Sequence, residues 1–520
     1  MEFLAERPVI SLVMPTYETD PAYLREAIGS VRSQTYPHWE LRIVDDGSTS
    51  SRTRKAIRRA VSRDSRIAAR LLEENRGISA ATNAGLELCN GELVAFLDHD
   101  DLLTQDALLA VARAYEEHGF DVAYSDQDKV TARGEITDPF LKPDWSPVYA
   151  LGAMYPGHLL VARRELVQEV DGLDGAFDSI QDFELLLRLS ERTERIHHIP
   201  ETLYHWRAIP GSIALGAEEK PGVTELQARA VNAHLRRHGI AAEAAPHPSH
   251  PHRLRLLPLA GRERPRVSVV IPARGEAQRA VAVRERTAAP EPEVILVDAG
   301  PDESFNPAKL ANAGARRASG EFLAFLGEDT EVTDRDWLEQ LLVHLVLPGV
   351  GAVGPVLTDP GGRVAAAGMA IGLYDPAVPV MRGFPADADG YYGSLACARE
   401  VSAVGMDCLL MRRSDFESVG GFEEAYSRQF ADVDLCLRLG ERGLATVCAP
   451  GPRTVSHTTD ARRREDFDVL DRALFVDRWW ERLEAGDPYY HRGFLGEAAD
   501  YTPSPFGGDR LELAMREAAR

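Results

Sequence analysis

Asp98-His99-Asp100-Asp101 places three carboxylates directly after an apolar run at residues 93–97. A buried strand that ends in several carboxylates is costly unless a cation is bound there. Divalent cations that bridge phosphate oxygens prefer such oxygen ligands. The alternative is a solvated turn whose Asp residues cap a helix. An Asp-x-Asp pattern alone does not separate the two.

Candidate residues also follow the other predicted strands. Apolar, β-branched runs predict strands at 9–15, 41–44, 67–72 and 93–97, and segments with helical spacing separate them. This alternation predicts a parallel sheet, in which ligands bind at the carboxyl ends of the strands. We expect those ends to form one ligand site, lined by Pro15, Asp45, Asp46, Asp98 and Asp100.

The second half of the chain repeats the first. The strand pattern restarts at 267–272, and Gly-Glu-Phe-Leu-Ala-Phe-Leu at 320–326 parallels Gly-Glu-Leu-Val-Ala-Phe-Leu at 91–97. The segment from Asp432 parallels the segment from Asp182, and His457 parallels His205. This pattern indicates duplication of a whole domain. We predict domains at 1–240 and 266–495, a linker at 241–265 and a tail at 496–520.

Composition narrows the class of protein. The formal net charge of -22 over 520 residues disfavours nucleic acid as a partner. Five irregularly spaced cysteines disfavour a disulfide framework or a zinc site. Residues 1–7 lack signal-peptide order, and no apolar run approaches the ~20 residues of a membrane span. We expect a cytoplasmic protein, with any membrane contact peripheral, at the inner face of the plasma membrane.

Motifs along almost the whole chain carry a resemblance to a known family. They include Val-Met-Pro-Thr-Tyr at 13–17, Val-Asp-Asp-Gly-Ser at 44–48, Leu-Asp-His-Asp-Asp at 97–101 and the Asp182 segment. Together they resemble a family 2 glycosyltransferase. Lys-Pro-Asp-Trp-Ser-Pro at 142–147 and Leu-Tyr-His-Trp-Arg at 203–207 resemble a bacterial subgroup that builds O-antigen, capsule and other surface polysaccharides. The resemblance implies an α/β chain of two tandem GT-A domains, the Rossmann-like fold of nucleotide-diphospho-sugar transferases.

The resemblance also implies a role for individual positions. The expected donor contacts are Pro15, Thr16, Tyr17, Asp46, Asn75, Gly77, Asn83, Asp98 and His99. The expected ligands of a Mn²⁺ or Mg²⁺ cofactor are Asp100 and His205 in the first half, and Asp329 and His457 in the second. The expected acceptor contacts are His158, Trp206 and Asp407.

Asp46 and Asp182 carry the sharpest expectations. Asp46 would accept a hydrogen bond from the imide of uracil or thymine, which favours a UDP- or dTDP-sugar; the alternative is a turn residue. Asp182, with Asp432 as its duplicate, would deprotonate the acceptor hydroxyl, and a single base with in-line attack implies inversion. The alternative is a helix cap. For His205, a packed structural residue is as compatible as a metal or diphosphate contact.

The two halves are not equal. Aligning Asp45 with Asp298 replaces Asp46 by Ala299 and Asp98 by Gly327. The distance from this Asp to the repeated Gly falls from 46 residues (45–91) to 22 residues (298–320), a loss of about one helix–strand unit. We predict one tight nucleotide-sugar site per chain, in the first half.

Several interpretations stay open. The leading one is a transferase whose partners are a nucleotide-sugar donor and a glycan or lipid-linked glycan acceptor. A polymerase with two active halves and a carbohydrate-binding scaffold without turnover are the rivals. The intact set of Asp46, Asp98, Asp100 and Asp182 argues against a scaffold for the first half. Homo-oligomer formation and the identity of the sugar are left open.

Overall fold

The chain folds into two α/β units. The computed structural model describes residues 7–209, 222–261, 263–273, 277–288, 290–299, 305–458 and 468–504. The first unit consists of two segments, the chain up to Trp145 and Met154–His234. The second unit consists of Ser146–Ala153 and the chain from Leu235 onward. The predicted α/β fold is confirmed. The short segment Ser146–Ala153 differs from the predicted division, since it is grouped with the second unit.

Strands and helices alternate through the first part of the chain. In order they are β1 (Ile10–Thr16), α1 (Pro21–Arg32), β2 (Trp39–Asp45), α2 (Ser51–Val61), β3 (Ile67–Leu71), α3 (Ile78–Leu86), β4 (Leu93–Phe96), β5 (Leu102–Leu103), α4 (Ala107–His118), β6 (Val122–Thr131), β7 (Ile136–Phe140), α5 (Pro147–Gly152), β8 (Leu160–Arg163), α6 (Arg164–Glu169), α7 (Gln181–Ser190), β9 (Ile196–Ala208) and α8 (Val223–Arg237).

Local sequence explains why these elements begin where they do. Helix α1 begins at Pro21, which tolerates the first helical position because its missing N–H needs no partner there. The Asp20 carboxylate caps this helix by accepting from the Ala22 amide at 2.7 Å. In β1, Leu12 and Met14 face one core while Val13 packs with Val94 on the other face. Alternation of this kind places the sheet between two helical layers.

The first sheet has the strand order β3-β2-β1-β4-β8-β6-β9-β5, with β7 paired to β6. Strands β3, β2, β1 and β4 are parallel, and β8 is antiparallel to β4 and β6. The ends of β1, β2 and β4 therefore lie along one edge, where Thr16, Asp46 and Asp98 follow. Strand β9 runs parallel to β6 and antiparallel to β5, which brings residues 202–208 to the segment after β4.

The second part of the chain contains a similar series. In order it holds β10 (Ala242–Pro246), β11 (Leu254–Pro258), β12 (Val267–Ala273), α9 (Ala277–Arg286), β13 (Glu293–Asp298), α10 (Pro307–Arg317), β14 (Phe322–Leu326), β15 (Thr330–Val332), α11 (Trp337–Leu345), β16 (Val350–Thr358), β17 (Val364–Ala366), β18 (Met369–Ile371), β19 (Ala377–Pro379), β20 (Arg399–Val401), β21 (Cys408–Arg412), α12 (Arg413–Ser418), α13 (Ala431–Gly440), β22 (Ala445–Ser456) and α14 (Val469–Ala485).

The second sheet follows the topology of the first with its outermost strand missing. Its order is β13-β12-β14-β21-β16-β22-β15, so β12 corresponds to β1, β13 to β2 and β22 to β9. The 32 residues between β2 and α3 (46–77) hold α2 and β3, whereas only eight residues (299–306) separate β13 from α10. The predicted loss of one helix–strand unit is thereby confirmed.

One small hydrogen-bond network recurs in both units and supports the duplication. Ser11 Oγ donates to Glu40 Oε1 at 2.7 Å and accepts from the Gly91 amide at 2.9 Å. In the second unit Ser268 Oγ donates to Glu293 Oε2 at 2.5 Å and accepts from the Gly320 amide at 2.8 Å. Each network ties the start of the first strand to its two neighbours.

The part of the predicted tail after residue 504 lies outside the described residues. Within the described ranges, none of the helices combines the length and apolar character needed to cross a bilayer.

Candidate active site

Asp46 joins the ends of β1 and β2 to the turn that precedes α3. Its amide donates to the Thr16 carbonyl at 2.8 Å. Its carboxylate accepts from the amides of Arg76 at 2.8 Å and Gly77 at 3.0 Å. The side chain is only 3% exposed. A carboxylate offers about four acceptor positions, so two remain for a ligand. Asp46 thus fixes the turn that contains Asn75, whatever it binds.

Gly77 is the position in this turn that requires glycine. Its φ is +92°, and a Cβ there would collide with the Asp178 carboxylate. Asp178 also accepts from the Ser79 amide at 3.2 Å in the first turn of α3. The sequence motif identified Gly77 but missed Asp178, because the two are about 100 residues apart.

Asn83 makes structural contacts, and its predicted donor role stays a prediction. Its amide nitrogen donates to the Leu173 carbonyl at 2.8 Å, and its oxygen accepts from the Leu173 amide at 2.9 Å. Asn312 makes the same pair of bonds with Phe422, at 2.9 and 3.0 Å. The Asn83 amide therefore fixes the chain after α6 with one of its two N–H groups and one of its two oxygen lone pairs.

Asp98, Asp101 and His158 form the acidic centre of the site. Their ligand atoms all lie within 4.8 Å of one another. Two carboxylates and an imidazole are a donor set that suits a divalent cation such as Mn²⁺. Asp100, the predicted metal ligand, adjoins this trio, with Oδ1 3.4 Å from His99 Nδ1. The metal role of Asp100 and the donor contact of His99 stay predictions.

Asp101 anchors the centre to β9 and was missed by sequence reasoning. Its carboxylate accepts from the Tyr204 hydroxyl at 2.6 Å and from the Arg207 amide at 2.7 Å. Burial raises the pKa of Asp101 well above its ordinary value, and the charges of Asp98 and Asp100 raise it further. Only the pairing of β5 with β9 brings these groups together.

His205 is oriented by a carboxylate. Its Nδ1 lies 2.6 Å from Asp128 Oδ1, and its register partner on β6 is the same Asp128. A carboxylate at one ring nitrogen fixes the tautomer and turns the other nitrogen outward, as in metal-ligating histidines. This arrangement fits the predicted metal role of His205 and adds Asp128 as its support.

Asp182 lies in the first turn of α7 and faces the acidic centre. Burial raises the pKa of Asp182, the nearby His158 opposes this, and the charge of Asp98 adds to it. Its Oδ1 accepts from the Phe183 amide at 2.8 Å. The neighbouring Glu184 is structural, since it binds Arg188 at 2.6 and 2.7 Å. Asp182 alone of the two can serve as a base.

His158 lies near both Asp182 and the carboxylates after β4. Its ring stacks on Tyr204 at 4.6 Å and meets the Trp206 ring edge-on at 5.7 Å. Burial lowers the pKa of His158 to about 4, against the opposing charge of Asp182. The ring is therefore neutral near pH 7. Of the three predicted acceptor residues, His158 and Trp206 are thus in contact with each other.

The remaining predicted donor residues lie at the end of β1. Thr16 is buried and its hydroxyl donates to the Val44 carbonyl at 3.1 Å. Tyr17 is 49% exposed, and Pro15 is partly exposed at the edge of the sheet. Tyr17 is the member of this group with an open ring face available to a ligand.

Comparison with known proteins identifies the first unit. Residues 11–149 match the model of the family described as glycosyl transferase family 2. The matched span contains Asp46, Asp98 and Asp100, but not Asp182 or His205. The chain carries a family 2 glycosyltransferase domain. The recognition made from the motifs is confirmed.

Two curated relatives align with almost the whole chain. The O-antigen biosynthesis protein RfbC of Myxococcus xanthus is 35% identical over 99% of this chain and 43% of that protein. Protein y4gI of Sinorhizobium fredii, whose function is uncharacterised, is 34% identical over 96% of this chain and 59% of that protein. The chain thus spans about half the length of these relatives. The putative teichuronic acid biosynthesis glycosyltransferase TuaG of Bacillus subtilis is 34% identical over 28% of this chain and 56% of its own length.

The chain is also similar, at low identity, to solved structures. TarS of S. aureus, residues 1–349, is 22% identical with a TM-score of 0.34, over 45% of this chain and 74% of that one. The mannosyltransferase PcManGT of Pyrobaculum calidifontis, solved with GDP-Man and Mn²⁺, is 20% identical with a TM-score of 0.34, over 45% and 65%. We base no residue assignment on them.

The second unit has lost most of the centre present in the family 2 domain. The register of β14 with β21 places Asp407 at the position of His158. Gly327 stands for Asp98, and its amide donates to the Asp407 carbonyl at 3.0 Å. A Cβ on Gly327 would lie 2.9 Å from Asp407 Oδ1, so that carboxylate occupies the space of an Asp98-like side chain. Thr330 takes the position of Asp101. The Thr330 amide donates to the Gly327 carbonyl as the Asp101 amide donates to the Asp98 carbonyl.

The predicted equivalence of His457 with His205 is wrong. In the first sheet Leu102 is paired with His205; in the second, its counterpart Glu331 is paired with Val455. His457 therefore lies two residues beyond, and its Nε2 binds Glu331 at 3.1 Å. Its amide donates to the Asp329 carbonyl at 2.8 Å. The Asp128–His205 pair becomes Thr358–Val455, which cannot supply an oriented imidazole.

Asp432 keeps the position of Asp182 but is engaged by main-chain amides. Its Oδ2 accepts from Met406 at 2.9 Å and its Oδ1 from Val433 at 2.9 Å. Burial raises its pKa, and these hydrogen bonds oppose the rise. No counterpart of His158 faces it, since Asp407 fills that position. The predicted catalytic role of Asp432 and the predicted metal role of Asp329 gain no support from this arrangement.

Proposed function

We propose that the chain is a metal-dependent, inverting glycosyltransferase that moves a sugar from a UDP- or dTDP-sugar to a growing bacterial surface polysaccharide. The observation that carries the proposal is the convergence of Asp182, His158 and Asp98 on one site at the ends of the parallel strands of a family 2 domain.

Asp182 is the proposed catalytic base. It would take the proton of the acceptor hydroxyl as the acceptor oxygen bonds to the anomeric carbon. The bond from that carbon to the diphosphate breaks, and the nucleoside diphosphate leaves with the electron pair. A raised pKa makes Asp182 a stronger base than an ordinary Asp. Attack on the face opposite the leaving group inverts the anomeric configuration.

The donor set fits a Mn²⁺ or Mg²⁺ ion. Asp98, Asp101 and His158 present clustered ligand atoms. Asp128 orients His205, whose register partner Leu102 follows the predicted ligand Asp100 by two residues. When bound, such an ion neutralises charge on the leaving diphosphate. Asp101 and Arg207 hold the segment after β4 in place, because the Arg207 side chain also donates to the Asp100 carbonyl and to Glu26 Oε2 at 2.8 Å.

The donor and acceptor classes rest on further observations. Asp46 retains acceptor positions at the end of β2, which suit the imide N–H of uracil or thymine. The acceptor class rests on two relatives, RfbC and TuaG, whose names refer to O-antigen and teichuronic acid biosynthesis. The altered centre of the second unit favours a single transferase site over a two-site polymerase.

An assay of nucleoside diphosphate release tests the proposal. The full chain would be incubated with UDP-, dTDP- and GDP-sugars, Mn²⁺ and a lipid-linked glycan acceptor. We expect release that depends on acceptor, stops with excess chelator and prefers pyrimidine donors. Preference for GDP-sugars would contradict the proposed pyrimidine donor, and undiminished release in chelator would contradict the metal dependence.

A further inference from the structure

Lys142 is a fully buried cation next to the site, and the function proposed above does not use it. Its exposure is 0%. The ammonium donates to the carbonyls of Pro156 and His158, each at 2.6 Å, to the Ser125 carbonyl, and to Gln127 Oε1 at 3.1 Å. An ammonium has three N–H groups, so four acceptors use its whole capacity.

This position is costly for a lysine. All four acceptors are neutral carbonyl oxygens, so no partner charge is matched directly to the ammonium. Burial lowers the pKa of Lys142 to about 7, and the charge of Asp126 only partly opposes this. A buried charge held by dipoles alone is expensive to desolvate. An apolar residue would fill the space more cheaply if packing were all that the position required.

The bonds of Lys142 converge on one short segment, residues 156–158. Gln127 Oε1 accepts from the His158 amide at 2.9 Å as well as from Lys142, so the two side chains form a clamp on this segment. Gly157 has φ +45°, and a Cβ there would lie 2.7 Å from Gln127 Oε1. Lys142 is itself held, because its amide donates to Asp126 Oδ1 at 2.8 Å.

The clamped segment ends at His158, whose ring lies near both Asp182 and the carboxylates after β4. We propose that Lys142 is a positioning residue of the transferase site, whose ammonium, together with Gln127, fixes residues 156–158 so that His158 faces Asp182. This inference rests on the proposed function for its catalytic consequence, but the clamp itself is a claim about the folded chain.

Substitutions in the full chain separate positioning from packing. Lys142→Met keeps the length of the side chain and removes its donors. We expect turnover at saturating substrates, per folded molecule, to fall at least tenfold while the nucleotide-sugar Kd stays within twofold. Hydrogen exchange at the Gly157 and His158 amides should rise at least tenfold, with β1–β4 still protected. Lys129→Met is the matched control, because the Lys129 ammonium forms an ion pair with the exposed Asp138, at 3.2 Å.

Substitutions at Gln127 keep the test decisive if Lys142→Met does not fold. Gln127→Leu removes the acceptor of the His158 amide and should lower turnover in the same way. Gln127→Glu keeps an acceptor oxygen for both donors and should retain turnover within threefold. Wild-type turnover and amide exchange in folded Lys142→Met or Gln127→Leu would overturn the proposal. If the unaltered chain transferred no sugar, the proposed function would fail, and amide exchange alone would decide the clamp.

Discussion

At the scale of single residues, the charged groups of the site are held by hydrogen bonds to residues far away in the sequence, such as those of Asp101 with Tyr204 and of Asp128 with His205. Asp98 and Asp182 stand out because each interrupts an apolar pattern. Asp101, Asp128 and Lys142 act through partners 14 to 106 residues away, which only the folded structure reveals. The Asn83 motif did not reveal that its amide fixes the backbone of Leu173.

Asp182→Asn should separate base catalysis from helix capping. The substitution keeps the shape and the hydrogen bond from the Phe183 amide but cannot accept a proton. We expect transfer to fall by roughly 10² to 10⁴ with donor affinity unchanged. In the unaltered chain, because the pKa of Asp182 is raised, activity should decline on acidification through a pKa above the ordinary Asp value of 3.8. Near-normal turnover of the variant would assign Asp182 to capping.

Asp128→Asn should weaken metal binding through His205. An amide at this position no longer offers a charged acceptor to Nδ1, so the ring loses its fixed tautomer and part of its basicity. We expect the Mn²⁺ Kd to rise roughly 10- to 100-fold, the usual effect of losing such a partner. Isothermal titration with Mn²⁺ measures it, with Thr358→Ala as the control at the matched position of the second sheet. Equal Mn²⁺ affinity in Asp128→Asn and the unaltered chain would contradict a ligand role for His205.

Asn83→Ala should destabilise the fold and leave donor binding intact. The Leu173 amide and carbonyl lose their partners, at a cost of about 1–3 kcal/mol per buried group. Asn312→Ala removes the same pair of bonds at Phe422 and should cost a similar amount. Denaturant titration gives both losses, and nucleotide-sugar titration of the folded proteins tests binding. A tenfold weaker donor Kd in Asn83→Ala alone would support the donor role.

At the scale of elements, periodicity predicted the strands of both sheets and the loss of one helix–strand unit. The absence of α2 and β3 counterparts follows from counting residues, because eight residues cannot form a helix and a strand with their turns. The register of β15 with β22 could not be predicted in this way. A two-residue offset placed Val455, not His457, opposite the strand segment after the acidic motif, and both histidines fit the same apolar pattern.

A buried carboxyl on β20 gives the second unit a defined response to pH. Glu400 is 2% exposed and accepts from the amides of Val148 at 2.8 Å and Tyr149 at 3.2 Å, at the start of α5. Burial raises the pKa of Glu400 to about 7, from 4.5 in the unfolded chain, although these hydrogen bonds oppose the rise. Its protonated form therefore stabilises the folded state. This contribution is complete below pH 4.5 and is lost as pH rises through 7.

Glu400→Gln should remove this dependence. Relative to the variant, the unaltered chain should lose up to about 3 kcal/mol of unfolding free energy between pH 4.5 and 8. Denaturant titrations at four pH values measure the difference, with the exposed Glu417→Gln as control. Parallel stability curves for the unaltered chain and Glu400→Gln would contradict the assignment.

At the scale of the whole molecule, one fold appears twice with different chemistry. The first unit keeps Asp46, Asp98, Asp101, Asp182 and the oriented His205. The second replaces them by Ala299, Gly327, Thr330, a carboxylate engaged by amides, and Val455. Duplication preserved the hydrogen bonds that hold the sheet and not those that face the ligand. This contrast makes the number of donor sites per chain the central claim.

Calorimetric titration of the full chain with a UDP- or dTDP-sugar in Mn²⁺ tests that claim most directly. Asp100→Ala and its counterpart Asp329→Ala form the matched pair of variants. We predict one donor site per chain. Asp100→Ala should weaken its affinity more than tenfold, which corresponds to a loss of about 1.4 kcal/mol or more of binding free energy. Asp329→Ala should leave the affinity unchanged. Two sites of equal affinity, or a loss of donor affinity caused by Asp329→Ala, would contradict the claim of one donor site per chain.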